Sequence, residues 1–331
     1  MTEPNRTNAL PRIMLVSCLL LLILRAVAIG YGVYFPPPRT QDLLVWQQAK
    51  PIDPNRTDLL STPTLYYFCD QKDILGTVLT QLFENSLFNN RDLVNFIRNN
   101  FIPVKVERRT DAPQEPFDEL FQKLSYEICP SLVVALPNGT RVHYTSWQSD
   151  RMLLAVLRDG LEECPLAAAQ YGMKKGKFDL ACQGFAKYYA KKMDLPWARF
   201  DDRLSKAIHW YFALRHEKRD KEANELVNKM LKDWHKNFRD DTSWPVPCLR
   251  YLIGQIPADD VVKLAGKGKS ELTTAHYAIG VQSELNGDVK NAKDHLHLAI
   301  FRRPESDRDD YNYARTELRL MGETLPKTED D

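Results

Sequence analysis

The residues of this chain that could do chemistry are its cysteines, its histidines and a few paired acids. The cysteines are Cys18, Cys69, Cys129, Cys164, Cys182 and Cys248. None are spaced as Cys-x-x-Cys, so the dithiol of disulfide exchange is missing, and so are the paired spacings of a structural zinc site. The histidines are His143, His209, His216, His235, His276, His295 and His297. On a helix the rings of His295 and His297 point about 200° apart and cannot share a metal. These histidines read as surface or groove residues. Asp240-Asp241 and Asp309-Asp310 are acidic pairs in expected loops. Paired carboxylates can serve hydrolysis, but no nucleophile stands beside them, and loop acids read as solvated caps. Trp210, Tyr211, Phe212, Tyr188 and Tyr189 read mostly as helix core, although a concave helical array can expose such rings for peptide binding. No catalytic residue, metal site or cofactor is expected.

The elements that position these residues fall into two groups. From Thr64 to Gly160 strands and helices alternate. Thr64 to Phe68 is an aromatic-rich strand, followed by a helix with Leu75, Val78, Leu79, Leu82 and Phe83 on one face. Arg91 to Asn99 is a second helix, and Ile102 to Val106 a second strand. Leu120 to Tyr126 is helical. After Cys129-Pro130, the run Ser131 to Leu136 is an apolar strand ending at the turn Pro137-Asn138-Gly139. Arg141 to Trp147 alternates as a further strand, and Met152 to Gly160 is helical.

That β-α-β-α-β-β-α order, with a proline opening the third strand, resembles the thioredoxin fold over residues 61–162. The nearer resemblance is to membrane-tethered bacterial thioredoxin-like domains, through Leu87-Phe88-Asn89-Asn90 and Asn100 to Val106. The resemblance implies that Pro130 is the family's cis-proline. The family's Cys-x-x-Cys opens the first helix, but neither Asp73 to Gly76 nor Thr77 to Thr80 has a cysteine at either end. A thioredoxin fold without thioredoxin chemistry is therefore expected. In such a fold Cys69 and Cys129 would lie on neighbouring central strands near one edge. They could form a thiol pair, or Cys129 could be a lone reactive thiol. The alternative is two small buried apolar residues.

After Gly160 only helices are expected, up to Gly322. Gly280, Gly287, Ala292, Ala299 and Pro304 fall at the spacing of a tetratricopeptide repeat, with Leu285, Leu296 and Ile300 supplying bulk. Gly287-Asp288 would make the turn between two closely packed helices. Weaker copies run from Gly176 through Ala181 to Phe185, and from Lys218 through Ala223 to Val227. The region from Asp201 to Met321 also resembles tetratricopeptide-repeat lipoproteins of bacterial envelopes that act as adaptors. Ser243-Trp244-Pro245, Tyr251 to Ile256, Asp259 to Val262 and Tyr313 to Leu318 carry that likeness.

Ile13 to Phe35 is apolar apart from Arg25 and long enough to cross a bilayer as a helix. It reads as an uncleaved anchor, or as a signal peptide cleaved after Ala26-Val27-Ala28. Arg6 and Arg12 on its flank would keep residues 1–12 cytoplasmic and place the bulk of the chain in a periplasm-like space. Residues 36–60 read as a linker holding a short helical candidate, Gln41 to Lys50, and residues 323–331 as a disordered tail. Basic and acidic residues balance at 45 against 44, with no basic stripe, which argues against nucleic acid as a partner.

The expected fold class is α+β: a transmembrane helix, a thioredoxin-like domain at 61–162 and an all-α repeat domain at 163–322. The expected function is a membrane-anchored, non-enzymatic adaptor or scaffold that binds envelope proteins or peptides. The alternative is a thiol redox or chaperone protein using Cys69 and Cys129.

Overall fold

A computed structural model describes residues 44–70, 76–77, 79–81, 83–84, 90–108, 115–124, 129–146, 150–192, 200–238, 240–301 and 308–326. Its strands are β1 (Gln47–Gln48), β2 (Thr64–Asp70), β3 (Ile102–Arg108), β4 (Ser131–Ala135) and β5 (Arg141–Thr145). They form one mixed sheet in the order β1-β3-β2-β4-β5. β1 and β2 run parallel to β3, and β4 lies antiparallel to both β2 and β5. Tyr66 pairs with Val104 on one side and Val133 on the other.

Both faces of the sheet are covered, which explains why β2 and β4 read as continuous apolar runs and not as alternating ones. Leu65, Tyr67, Cys69, Leu132 and Val134 face one core, where α1 (Arg91–Asn100) buries Leu93, Val94 and Ile97. Asn90 caps α1 by accepting from the Leu93 N–H at 3.0 Å. Tyr66, Phe68, Val104, Val106, Val133 and Ala135 face the other core with Leu120 and Leu124 of α2 (Glu115–Leu124).

The stretch read as a linker is packed against this sheet. Leu44 and Leu59 are buried in the first core. The expected short helix at Gln41 to Lys50 is replaced by the edge strand β1 where it is described. Gly139 has φ +81°, and a β-carbon there would lie 2.6 Å from Ile52, so this turn needs glycine twice over.

Helix α3 (Asp150–Lys174) links the two halves. It runs unbroken past residue 162. Leu153, Leu157, Cys164 and Ala168 join the sheet core, whereas Ala169 and Met173 join the helical core. There follow α4 (Phe178–Lys192), α5 (Phe200–His216), α6 (Asp220–Asn237), α7 (Val246–Leu252), α8 (Ala258–Ala265), α9 (Lys269–Leu285), α10 (Val289–Phe301) and α11 (Arg308–Leu320).

Three of the junctions are closed the same way. Gly176, Lys218 and Gly287 take positive φ at the ends of α3, α5 and α9. The next N–H then bonds back to the carbonyl five residues earlier, at 2.8 Å for Lys177 to Gly172, 2.8 Å for Arg219 to Leu214 and 2.9 Å for Asp288 to Ser283. Five residues past each turn stands a fully buried alanine: Ala181, Ala223 and Ala292. Nine past each stands a fully buried large residue: Phe185, Val227 and Leu296. Burying each of these contributes about 1.5–3 kcal/mol. Within the outer two hairpins the helices nearly touch at glycines. A β-carbon on Gly280 would lie 2.7 Å from Leu296 Cγ, and one on Gly184 would lie 2.6 Å from the Pro165 carbonyl oxygen.

The expected membrane span is also overturned. Among the described residues no helix is long and apolar enough to cross a membrane. The longest, α3, has the length but carries Arg151, Arg158, Asp159, Glu162, Glu163 and Lys174 along it. Such charges are costly in hydrocarbon. The transmembrane component of the expected fold class is therefore withdrawn, and with it the single-pass membrane localisation and the periplasm-facing orientation. The tail 1–12 and the expected anchor 13–35 lie outside the described residues, as do Pro304 and the tip 327–331 of the expected tail.

Candidate functional site

Where thioredoxin chemistry would sit, the cysteines beside the sheet are Cys69 and Cys129. The Cys129–Pro130 peptide is cis. Cys69 is fully buried and donates to the Val106 carbonyl at 3.7 Å. Its side chain joins one core of the sheet, whereas Cys129 packs against the opposite core. Both thiols are free, so no disulfide joins the expected pair. Burial raises the Cys69 thiol far above its ordinary range. Burial, aided by Asp70, pushes Cys129 up to about 12. A thiol held that high is almost never the thiolate that exchange requires. Polar side chains here pair with one another instead: Lys105 lies 3.1 Å from both Glu84 and Glu107, and Tyr67 donates to Glu84 at 3.3 Å.

A buried polar cluster lies in the helical half. α5, α9 and α11 run side by side and contribute polar groups at two levels, each seven residues apart on its own helix. At the first level His209 Nε2 lies 2.6 Å from Asp310 Oδ1, with both side chains at most 5% exposed. Thr274 donates to the other oxygen of Asp310 at 2.5 Å. The His209 ring meets Tyr277 and Tyr313 edge-on, at centroid distances of 5.9 and 4.8 Å. His209 Nδ1 and the Tyr277 hydroxyl are buried without a hydrogen-bond partner.

Two turns further on, His216 Nε2 lies 3.1 Å from Glu317 Oε1. Glu317 is 1% exposed, and its second oxygen has no partner. Glu284 of α9 completes the group, and one of its own carboxylate oxygens is likewise buried and unpartnered. One ligand atom from each of His216, Glu284 and Glu317 lies within 4.8 Å of the others. Phe178, at the start of α4, stacks flat on the His216 ring at 3.8 Å between centroids with 2° between planes. Burial and then the Glu317 charge push the Glu284 carboxyl up to about 7. For His216, burial works downward, but the bond to Glu317 and the neighbouring carboxylates outweigh it and leave the imidazole raised. Two carboxylates and an imidazole in this arrangement can share a proton or hold a divalent cation.

The sequence pattern did not single out these residues. Asp309-Asp310 was expected in a solvated loop. Instead both fall in the first turn of α11, with Asp310 buried against His209 and Asp309 accepting from Gln170 at 2.7 Å. His295 and His297 do point to different partners: His295 Nδ1 lies 2.9 Å from His276 Nδ1, and His297 lies 2.8 Å from Glu323. Tyr188, Tyr189, Tyr211 and Phe212 are core, with Trp210 partly buried beside them. Gly280 meets Leu296 and the Ala292 carbonyl across the α9–α10 contact, Gly287 makes the turn, and Ala292 and Ala299 are fully buried. The one available signal for the site was the recurring spacing of seven: His209 and His216, Tyr277 and Glu284, Asp310 and Glu317.

Comparison with known families and with curated proteins gave no match.

Proposed function

We propose that the chain is a non-enzymatic adaptor that binds proteins or peptides. The observation that carries this is the outer face of α10. Phe301 is 87% exposed and Leu298 39% exposed. With Asp294, His297 and Ile300 they line a shallow apolar hollow. An aromatic and an aliphatic side chain left in water beside charged neighbours have the make-up of an interface anchor with a polar rim.

The sheet order, parallel across β1, β3 and β2 and antiparallel across β4 and β5, supports reading the first half as a thioredoxin-like domain. The three equivalently closed hairpins support reading the second half as tetratricopeptide-type. The thiol redox alternative is disfavoured, because Cys69 and Cys129 face opposite cores with their ionisation suppressed. Two assays test this reading together. The purified chain should not accelerate insulin reduction by dithiothreitol. In pull-downs, proteins retained by the parent should be lost with Phe301→Asp while the melting temperature stays unchanged. Insulin reduction that disappears in Cys129→Ser would overturn the adaptor reading.

A further inference from the structure

We propose that His216, Glu284 and Glu317 form a binding site for one divalent first-row transition ion, with Zn2+ the best match to a donor set of one imidazole and two carboxylates. The proposal does not depend on the adaptor reading. Three observations support it.

The first is geometry. Donors around a four-coordinate zinc ion lie about 3.3–3.6 Å apart, given bonds of about 2.0–2.2 Å. His216 Nε2 and Glu317 Oε1 lie 3.1 Å apart, so the pair needs to open only slightly to take an ion. Glu284 brings the third donor within 4.8 Å, so a small rotation of its side chain would close the set. Three protein donors leave the fourth position for water or a further ligand.

The second is the buried, unsatisfied oxygen of Glu317. A carboxylate oxygen removed from water without a partner is costly. Here a carboxylate oxygen of Glu284 lies beside it with no other donor, so the two carboxyls can satisfy each other only if one of them holds a proton. No lysine or arginine amine forms a salt bridge to either carboxylate among the described residues. A divalent ion would neutralise both charges at once.

The third is rigidity and access. Phe178 fixes the plane of the His216 imidazole by stacking on it, as a ligand ring must be fixed. The three ligands come from three helices packed in one core, so their backbones are held in place. The His216 side chain retains 13% exposure, which leaves a route for an ion.

The competing explanation is a proton shared between Glu284 and Glu317. Exposed pairs such as His235 with Asp241 at 3.0 Å, and His297 with Glu323, are competing surface positions for added metal. The test uses the full chain, treated with chelator and desalted, and titrated at pH 7.5 with Co2+ as a spectroscopic probe and then with Zn2+ by calorimetry. The expected result is one equivalent of Co2+ giving the strong visible absorption of a four-coordinate ion, displaced by one equivalent of Zn2+. Glu317→Gln and Glu284→Gln should each weaken binding at least 30-fold, while His235→Asn and His297→Asn leave it unchanged. Glu284 is only partly buried, so Glu284→Gln keeps the test open if Glu317→Gln does not fold. Two outcomes would overturn the proposal. One is no binding below millimolar metal, which leaves a shared proton. The other is binding that survives both glutamine variants and is lost in a surface histidine variant.

Discussion

Gly184→Ala sets helix propensity directly against packing. Gly184 lies inside α4, where alanine is favoured over glycine by about 1 kcal/mol. By that measure alone the variant is more stable than the parent. The structure predicts the opposite sign. A β-carbon at 184 would lie 2.6 Å from the Pro165 carbonyl oxygen, 2.7 Å from the Ala169 nitrogen and 2.8 Å from Ala169 Cβ. Two of these are backbone atoms of α3, so no side-chain rotation relieves the overlap. The helices must separate by most of an ångström. Overpacking costs about 1–3 kcal/mol, and contact with backbone places this case at the upper end. After the propensity gain is subtracted, the net loss is about 1–2 kcal/mol. For a chain of 331 residues that lowers Tm by about 1–3 °C. The loss should be felt in both halves, because α3 carries side chains into the sheet core and the helical core alike. Calorimetry of parent and variant under identical conditions measures it. A variant as stable as the parent, or more so, would refute the close approach of α3 and α4.

Lys218 holds the left-handed turn position that glycine fills in the two equivalent hairpins. Lys218→Gly should therefore stabilise the chain by about 0.5–1 kcal/mol in chemical denaturation, against the usual direction for glycine. In a Cys18→Ser background, the native thiols should react with Ellman's reagent at pH 8 at least about fiftyfold more slowly than an ordinary thiol, because burial pushes Cys129, Cys164 and Cys182 up to about 12 and the scarcity of thiolate outweighs its greater nucleophilicity. A fast native thiol mapped to Cys129 would contradict this. Burial lowers the pKa of His295, whose nitrogen faces that of His276. Its folded pKa is depressed, so its share of stability is present above the unfolded value of about 6.5 and lost as pH falls below it. Thermal melts from pH 7.5 to 5 should fall less steeply for His295→Gln than for the parent, and parallel curves would contradict the assignment.

How much of this could be read beforehand follows from how local each signal was. β2 and β4 are legible as apolar runs, and β3 and β5 as short stretches of alternating apolar and polar residues, each bounded by its own proline, turn or helix. β1 was not: Gln47 and Gln48 are polar and exposed, and they become a strand only by pairing with Val104 and Lys105, far along the chain. The hairpin turns are legible from Gly176 and Gly287, because few other residues take their backbone angles. Lys218 shows no such mark, yet takes the same turn. The polar cluster was hidden for a different reason. His209 meets Asp310, and His216 meets Glu317, across 101 residues in each case. Nothing in a short window tells a histidine of this kind from a surface one. Only the spacing of seven on three helices hinted at a common line, and that spacing also describes any buried helix face.

Docking of a protein or peptide on the outer face of α10, the function proposed above, is tested most directly by replacing Phe301 with a photoreactive phenylalanine analogue in the full chain and irradiating it in the native lysate. Val45, 80% exposed, serves as the control position. The account predicts one discrete crosslinked protein from position 301, absent from position 45 and removed by Leu298→Asp. No adduct at 301, or the same smear of adducts from both positions, would contradict it.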